Sequence, residues 1–171
     1  MTFAAVLLPL AVAASPPAPV AFPGAAAAKD PTGRYAIDLA DGGGGRRQLR
    51  LTVLATGAAR PLLTLERSAI VFWSPDGNAV AIAVRRDADH GTVLLVTPGR
   101  PGETDLLPAL AAALGPFPEQ RDNRRVILDV VRWLDASRIR LRLSGVGTRD
   151  PEEFSELFDY ELGGKFRRAI F

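Results

Sequence analysis

The stretch VFWSPDGNAVAIAV, residues 71–84, decides the fold of this 171-residue chain. It holds two short apolar runs separated by a tetrapeptide, SPDG, at residues 74–77. A serine that can bond the backbone, a proline that presets φ, an aspartate and a glycine are the residues that β-turns favour. The β-branched residues on both sides are typical of strands. The stretch therefore predicts a β-hairpin with its corner at the tetrapeptide.

The same rhythm continues in both directions from this hairpin. Runs of strand length, bounded by Gly, Pro, Asp and Asn, recur about every 8 to 12 residues, which is typical of an antiparallel all-β domain. A Gly163-Gly164 pair between two such runs predicts a further hairpin. The runs are 34–40, 47–55, 61–66, 69–73, 79–86, 92–97, 124–133, 138–145, 158–162 and 165–171.

One segment breaks the pattern and predicts a short helix. Residues 103–115 are rich in helix-forming Leu and Ala and end at Gly115. Proline is tolerated in the first turn of a helix, so Pro108 places the start near Asp105. We expect one helix over 105–114, packed on the outside of the sheets.

The quoted stretch and its continuation resemble one blade of the TolB-type β-propeller repeat, in which a W-S-P-D-G turn joins two strands. The resemblance covers residues 69–99 well and residues 126–164 loosely. In the weaker copy only a Trp, an Asp and the strand rhythm match, and its turn is one residue shorter. The matching residues are Trp73, Ser74, Pro75, Asp76 and Gly77 in the first copy and Trp133 and Asp135 in the second.

The resemblance implies a fold and a mode of binding. In that family the repeated turn is structural, binding sites lie on the end faces and central channel, and no catalytic residues carry over. A closed propeller needs at least four blades of about 40 residues, and this chain has room for two or three. We therefore expect open antiparallel meander sheets of propeller-blade type, with Trp73 and Trp133 at equivalent inward positions. The alternative is a β-sandwich that reuses the same corner.

The first 32 residues differ in composition from the rest. An apolar run over residues 3–14 contains an A-x-A site and is followed by a Pro/Ala-rich stretch. We interpret residues 1–14 as a signal peptide, 15–32 as a linker and 33–171 as a single β domain, which predicts a periplasmic or secreted protein. The alternative is a disordered tail. The run is too short for an integral membrane span, which needs about 20 residues.

Composition excludes several kinds of chemistry. The chain has no cysteine, which rules out disulfides, thiol catalysis and Cys-based zinc sites. The net charge is only +2 and no run of like charges occurs, so nucleic acid is not predicted as a partner. The glycines at 42–45 do not resemble a phosphate loop, because no G-K-[ST] follows and no helix begins there. No cofactor is predicted.

Three candidate constellations remain, each with a plainer alternative. Asp87, Asp89 and His90 could hold a divalent ion or could form an ordinary turn. Alternate arginines on one strand could bind an anion or could pair with acids on a neighbouring strand. An acidic loop over 149–156 could supply carboxylates or could be a solvated surface. The last two sets are Arg138, Arg140 and Arg142, facing Asp159 and Glu161, and Asp150, Glu152, Glu153 and Glu156.

The functional prediction follows from what is present and what is missing. The family-like residues are structural, and no G-x-S-x-G turn or second histidine completes a catalytic set. We expect a non-catalytic exported interaction module that binds an envelope protein or other envelope component through a loop face. The alternative is a small hydrolase or metal-dependent enzyme that uses Asp87, Asp89 and His90.

Overall fold

The computed structural model describes residues 15–114, 123–147 and 153–169. These residues form strands and one short helix, as the sequence predicts. The strands are β1 (Val20–Phe22), β2 (Ala27–Lys29), β3 (Tyr35–Asp41), β4 (Arg47–Val53), β5 (Ala59–Leu65), β6 (Ser68–Trp73), β7 (Val80–Arg85), β8 (His90–Val96), β9 (Glu103–Asp105), β10 (Asn123–Trp133), β11 (Arg138–Gly147), β12 (Glu153–Glu161) and β13 (Lys165–Arg168), and the helix is α1 (Leu106–Leu114).

The strands form three consecutive antiparallel meanders. The first, β2 to β5, is a separate four-stranded sheet. The central meander, β6 to β9, and the third, β10 to β13, share one sheet through a parallel pairing of β8 with β10. That pairing covers only two residues of each strand, Val126 with His90 and Ile127 with Gly91. The architecture is all-β, and its sheets do not close.

The hairpin at residues 71–84 contributes side chains to two cores, and the meanders therefore form three layers. Val80, Ile82 and Val84 of β7 pack into a core with the first meander, whereas Ala81 and Ala83 pack into a core with the third. Every residue of β7 before Arg85 is buried. A strand buried on both faces reads as a continuous apolar run, which is the pattern of AVAIAV. The central meander is therefore the middle layer.

The two outer faces are polar. On the first meander, Arg50 donates Nε and Nη2 to one Asp38 oxygen at 2.9 and 2.8 Å, and Thr52 bonds the other oxygen. On the third meander, Arg140 binds Asp159 with two hydrogen bonds of 2.7 and 2.9 Å. This is the predicted cross-strand pairing, since Arg140 lies opposite Asp159 in the register. Faces of this kind suit solvent and not a further blade.

The helix lies where the sequence predicts it. An Asp105 oxygen accepts the backbone N–H of Leu107 at 3.1 Å, which is an N-cap contact, and Pro108 falls in the first turn. Leu106 and Leu110 are fully buried against the third meander's core.

The structure differs from the sequence prediction in two places. The predicted linker over 15–32 contains β1 and β2, and its Phe22 and Ala28 are buried in the core. Alanine-rich, proline-bounded segments of three residues carry too weak a period to be recognised as strands. The acidic loop was predicted to reach residue 156, but β12 begins at Glu153. The predicted signal peptide over 1–14 and residues 149–152 of the acidic loop lie outside the described residues.

Candidate functional site

The corner at residues 74–79 is a closed hydrogen-bonded turn. Ser74 donates its N–H to the Ala79 carbonyl at 2.9 Å, and its Oγ accepts the Ala79 N–H at 3.0 Å. The Ser74 hydroxyl donates to Asp76 at 2.7 Å, and Gly77 adopts a φ of 68°. A positive φ at this point favours glycine. The Ser74 and Asp76 side chains are thus used within the turn itself.

A second corner of the same length joins β2 to β3, and the sequence prediction missed it. Asp30 takes the place of Ser74: its N–H donates to the Tyr35 carbonyl at 3.0 Å, and its Oδ1 accepts the Tyr35 N–H at 2.9 Å. Gly33, with a φ of 74°, takes the place of Gly77. The sequence D-P-T-G at 30–33 therefore builds the same turn as S-P-D-G at 74–77.

The two corners stack on each other. Arg34 donates Nη2 to the Asp76 carbonyl at 3.2 Å and to the Asn78 side chain at 3.0 Å. A Cβ at Gly77 would lie 2.5 Å from Asp30 Oδ2, so the corner at residues 74–79 needs a residue without a side chain at that position. The Asp30 side chain has no exposed surface. These contacts join the first meander to the central one.

Each of the two tryptophans donates a hydrogen bond to the preceding meander. Trp73 donates Nε1–H to the Ala28 carbonyl at 3.0 Å, and Trp133 donates Nε1–H to the Phe72 carbonyl at 2.9 Å. Each ring is 3% exposed. Each tryptophan ends a strand and reaches back to the first strand of the preceding meander, so the two positions are equivalent.

The corner carboxylates are held in their charged form. Burial alone would raise the pKa values of Asp30 and Asp76, but hydrogen bonds, first of all from the Thr32 and Ser74 hydroxyls, lower both pKa values below 3.8. At the third corner, residues 134–138 between β10 and β11, the Ser137 backbone N–H, helped by Arg138, lowers the pKa of Asp135 to about 2. Hydrogen bonding to the charged form accounts for all three shifts. These groups stabilise turns, and they are poorly suited to proton transfer near neutral pH.

The corners mark one end of all three meanders, and we call it the corner end. Because the strands are antiparallel, the intervening connections meet at the opposite end, which we call the glycine-loop end. It is formed by residues 23–26, 42–46, 66–67 and 86–89.

The glycine loop projects two arginines from the end of the first meander. Gly43, Gly44 and Gly45 have φ values of 84°, 62° and 76°, a succession that other residues rarely adopt. The Gly42 N–H donates to the Arg46 carbonyl at 2.7 Å and closes the loop. Arg46 and Arg47 follow directly, where β4 begins.

A third arginine reaches the same place through the register of the hairpin β4–β5. Arg47 lies opposite Leu65, so the next residues, Glu66 and Arg67, return to the glycine-loop end. The three arginines line one cleft of about 810 Å³, together with Thr64 and Glu66. Pro23 closes one side, at the junction of the two sheets.

The arginines of this cleft differ from most others in the chain. Within the described residues, Arg46, Arg47 and Arg67 have no ion pair and no side-chain hydrogen bond, and all three are exposed. Ten other arginines lie within 4.0 Å of a carboxylate oxygen. They are Arg34, Arg50, Arg60, Arg85, Arg86, Arg125, Arg138, Arg140, Arg142 and Arg168.

The predicted metal candidates lie at the glycine-loop end but do not converge as a trio. His90 Nδ1 is 3.0 Å from both Asp87 oxygens. Asp87 Oδ1 also accepts the backbone N–H groups of Asp89 and His90 at 2.7 Å each. The hydrogen bond from Asp89 is the largest cause of the lowered pKa of Asp87. The Asp89 carbonyl accepts the Val126 N–H at 2.8 Å, where β8 meets β10. In the described part of the chain, no three His, Asp or Glu side chains are grouped as a metal site would require.

The predicted acidic cluster is divided among other contacts. Arg125 donates to Glu153 at 2.7 Å, and Arg168 lies 2.9 Å from Glu156. Asp150 and Glu152 lie outside the described residues.

A smaller cleft of about 370 Å³ lies at the corner end. Its lining is largely apolar and includes Tyr35, Leu51 and Val53. Of its two arginines, Arg60 lies 3.8 Å from Glu103, whereas Arg100 has no carboxylate partner among the described residues.

The cleft lined by Arg46, Arg47 and Arg67 can be predicted from the sequence through the register of the β4–β5 hairpin, although no single residue indicates it. The pair Arg46-Arg47 follows the glycines, and Glu66-Arg67 follows the next hairpin. Counting the register of a seven-residue antiparallel hairpin brings these two pairs to the same end of the sheet.

No protein-family model matches this chain, and no curated protein matches it. Within residues 15–114, 123–147 and 153–169, no helix is long and apolar enough to cross a membrane.

Proposed function

We propose that this protein is a non-catalytic, exported interaction module that binds an envelope protein or other envelope component through its glycine-loop end. The observation that carries the proposal is the set of unpaired arginines, Arg46, Arg47 and Arg67, around one cleft. Elsewhere in the described chain most arginines are neutralised by a neighbouring carboxylate. Exposed guanidinium groups without partners suit an anionic surface on a ligand, because they donate several hydrogen bonds in a fixed planar geometry.

The corner end supports the same assignment by contrast. Its motif residues hydrogen-bond within and between the turns, as Ser74 with Ala79 and Arg34 with Asn78 do. Residues that stabilise the scaffold in this way are less free to contact a partner. Rigid elements that carry exposed loops are a common arrangement for binding sites.

The alternative function, an enzyme built on Asp87, Asp89 and His90, rests on the 3.0 Å contact between Asp87 and His90. An enzyme of this kind should lose metal affinity or activity in His90→Ala. We expect His90→Ala to change neither partner capture nor metal affinity, because Asp87 mainly caps its own loop. Turnover in an activity screen that His90→Ala abolishes would replace the binding proposal with the enzymatic one.

The binding proposal is tested by pull-down from an envelope extract of the native host. The bait is the full chain, compared with the triple variant Arg46→Gln/Arg47→Gln/Arg67→Gln. The matched control is Arg100→Gln/Arg132→Gln/Arg167→Gln, which removes the same charge from three other exposed arginines, none of which lies within 4.0 Å of a carboxylate oxygen in the described residues. We expect the wild type and the control to capture the same component and the cleft variant to lose it. Equal capture by all three baits would contradict the assignment to this end.

Export is tested separately by mass spectrometry of the protein purified from its host. We expect cleavage near residues 13–15. An intact amino terminus at Met1 or Thr2 in a cytosolic fraction would contradict export.

A further inference from the structure

We infer that the cleft at the glycine-loop end binds a phosphate ester that carries hydroxyl or ammonium groups beside its phosphate. This inference rests on the proposed function and names the chemistry that the arginine cleft recognises. Two features carry it: the surplus of guanidinium groups and the position of one carboxylate and one hydroxyl among them.

The charge of the lining favours an anion with more than one charged oxygen. Three guanidinium groups and one carboxylate, Glu66, give the cleft lining a formal charge of +2. Guanidinium groups match phosphate oxygens in pairs, with two parallel N–H···O bonds from one planar group. A single carboxylate ligand would leave at least one of the three arginines unmatched. A phosphate group offers enough oxygens for all three.

The remaining polar groups favour an ester over a bare ion. Glu66 is exposed, lines the cleft and has no ion-pair partner among the described residues. A carboxylate beside a phosphate site repels the anion unless the ligand supplies a donor, such as a hydroxyl or ammonium group. Thr64 adds a hydroxyl that donates or accepts. The volume of about 810 Å³ lies within the range of small-molecule sites and exceeds the needs of an inorganic ion.

The glycine loop at residues 42–46 presents arginines that can bind phosphate, but it is not a nucleotide-type phosphate loop. The successive left-handed glycines lead into a strand, β4, and not into a helix. Recognition therefore depends on the arginine side chains and not on a helix amino terminus. The same phosphate ester can come from a soluble metabolite or from a lipid headgroup exposed at a membrane surface, and the experiment separates these sources.

The experiment measures binding of two probes to the full chain. The soluble probe is glycerol phosphate, followed by isothermal titration calorimetry at low ionic strength, with inorganic phosphate as the bare-ion reference. The membrane probe is a vesicle of phosphatidylcholine with one third phosphatidylglycerol, followed by co-sedimentation. The reference is pure phosphatidylcholine vesicles, whose headgroup has neither a hydroxyl nor an N–H donor. We expect wild-type binding to at least one of the two ester probes, with glycerol phosphate or the mixed vesicles preferred over their references.

Three variants locate the binding. Arg46→Gln/Arg47→Gln/Arg67→Gln should weaken it by about tenfold or more, because charge-assisted hydrogen bonds are lost. Arg100→Gln/Arg132→Gln/Arg167→Gln should keep it within about twofold. Glu66→Gln should strengthen binding of inorganic phosphate, so the ratio of the affinity for glycerol phosphate to the affinity for inorganic phosphate should fall. Folding of each variant is checked by its thermal unfolding curve.

The outcomes separate this inference from the proposed function. An equal loss in both triple variants would overturn the inference, since general charge would explain it. No binding of either ester probe, with envelope capture still dependent on the cleft arginines, would overturn the phosphate assignment and leave the binding module standing. No ester binding together with cleft-independent capture would overturn both.

Discussion

The corner end and the glycine-loop end belong to the same meanders, yet they are built in opposite ways. At the corner end, the carboxylates of Asp30 and Asp76 receive hydrogen bonds within their own turns, and Arg34 joins one layer to the next. At the glycine-loop end, Arg46, Arg47 and Arg67 lie exposed around one cleft, with no ion pair and no side-chain hydrogen bond in the described residues. The corner contacts stabilise the fold, whereas this cleft leaves three guanidinium groups available to a ligand.

The largest difference in stability between the two ends is expected when alanine replaces a glycine that has a positive φ. Gly77→Ala places a Cβ 2.5 Å from Asp30 Oδ2 and forces a positive φ on alanine. We expect the free energy of unfolding in urea to fall by about 2–4 kcal/mol. The matched control is Gly44→Ala, whose φ is 62° but whose Cβ meets nothing within 4 Å. Its cost should be about 1–2 kcal/mol, which is the cost of the left-handed backbone alone, and equal costs at both sites would remove the distinction between the ends.

Replacing either tryptophan by phenylalanine tests whether the two layer contacts are equivalent. Trp73→Phe leaves the Ala28 carbonyl without its donor, and Trp133→Phe does the same to Phe72. We expect each change to lower the free energy of unfolding by about 1–3 kcal/mol, since a buried acceptor loses its partner. Equilibrium urea unfolding measures both variants. Costs that differ by more than about twofold would mean that the blades are not equivalent.

Acid should weaken the corners while it leaves the charges of the cleft arginines unchanged. The pKa of Asp135 is lowered from 3.8 to about 2, and those of Asp30 and Asp76 are also lowered. A lowered folded-state pKa contributes stability that is present above the unfolded value and is lost as the pH falls through the folded value. We expect stability from these groups to be constant above about pH 5 and to decline between about pH 4 and 2.

Urea unfolding at several pH values measures this decline, and Asp135→Asn should reduce its slope. Arginine stays protonated throughout this range, so the three guanidinium groups of the cleft keep their charge. A slope that Asp135→Asn leaves unchanged would assign the acid sensitivity to other groups.

The smallest effect is expected for the cleft arginines themselves. Arg46→Gln/Arg47→Gln/Arg67→Gln should change the free energy of unfolding by no more than about 0.5 kcal/mol per site, because these side chains lack partners in the described structure. Circular dichroism at increasing temperature is sufficient to measure this. A large destabilisation would show that the arginines support the fold, and the case for binding at this end would fail.

The sequence predicted the parts of the fold that depend on local signals. The hairpin at 71–84, the helix that begins after Asp105 and the pairing of Arg140 with Asp159 each follow from turn chemistry, capping or strand alternation. The equivalence of the two tryptophans could be predicted because each belongs to a copy of the same motif, and a repeated motif takes the same place in each repeat. These features need no knowledge of distant contacts.

The rest depended on tertiary contacts. The strands at 20–22 and 27–29 are too short for a readable period, and pairing with β6 and β3 defines them. The first corner was overlooked because its D-P-T-G lies in a stretch whose composition resembles a linker. The basic cleft joins residues 20 positions apart, and only the hairpin register brings Arg47 and Arg67 together.

A residue-resolved NMR titration of the full chain with glycerol phosphate separates the two ends directly. We expect the amide signals of residues 42–47 and 64–68 to shift with one binding curve. We also expect the signals of the three corners, at 30–34, 74–79 and 134–138, to stay in place. Shifts centred on the corners, or shifts spread evenly over every exposed arginine, would contradict the division between a structural end and a binding end.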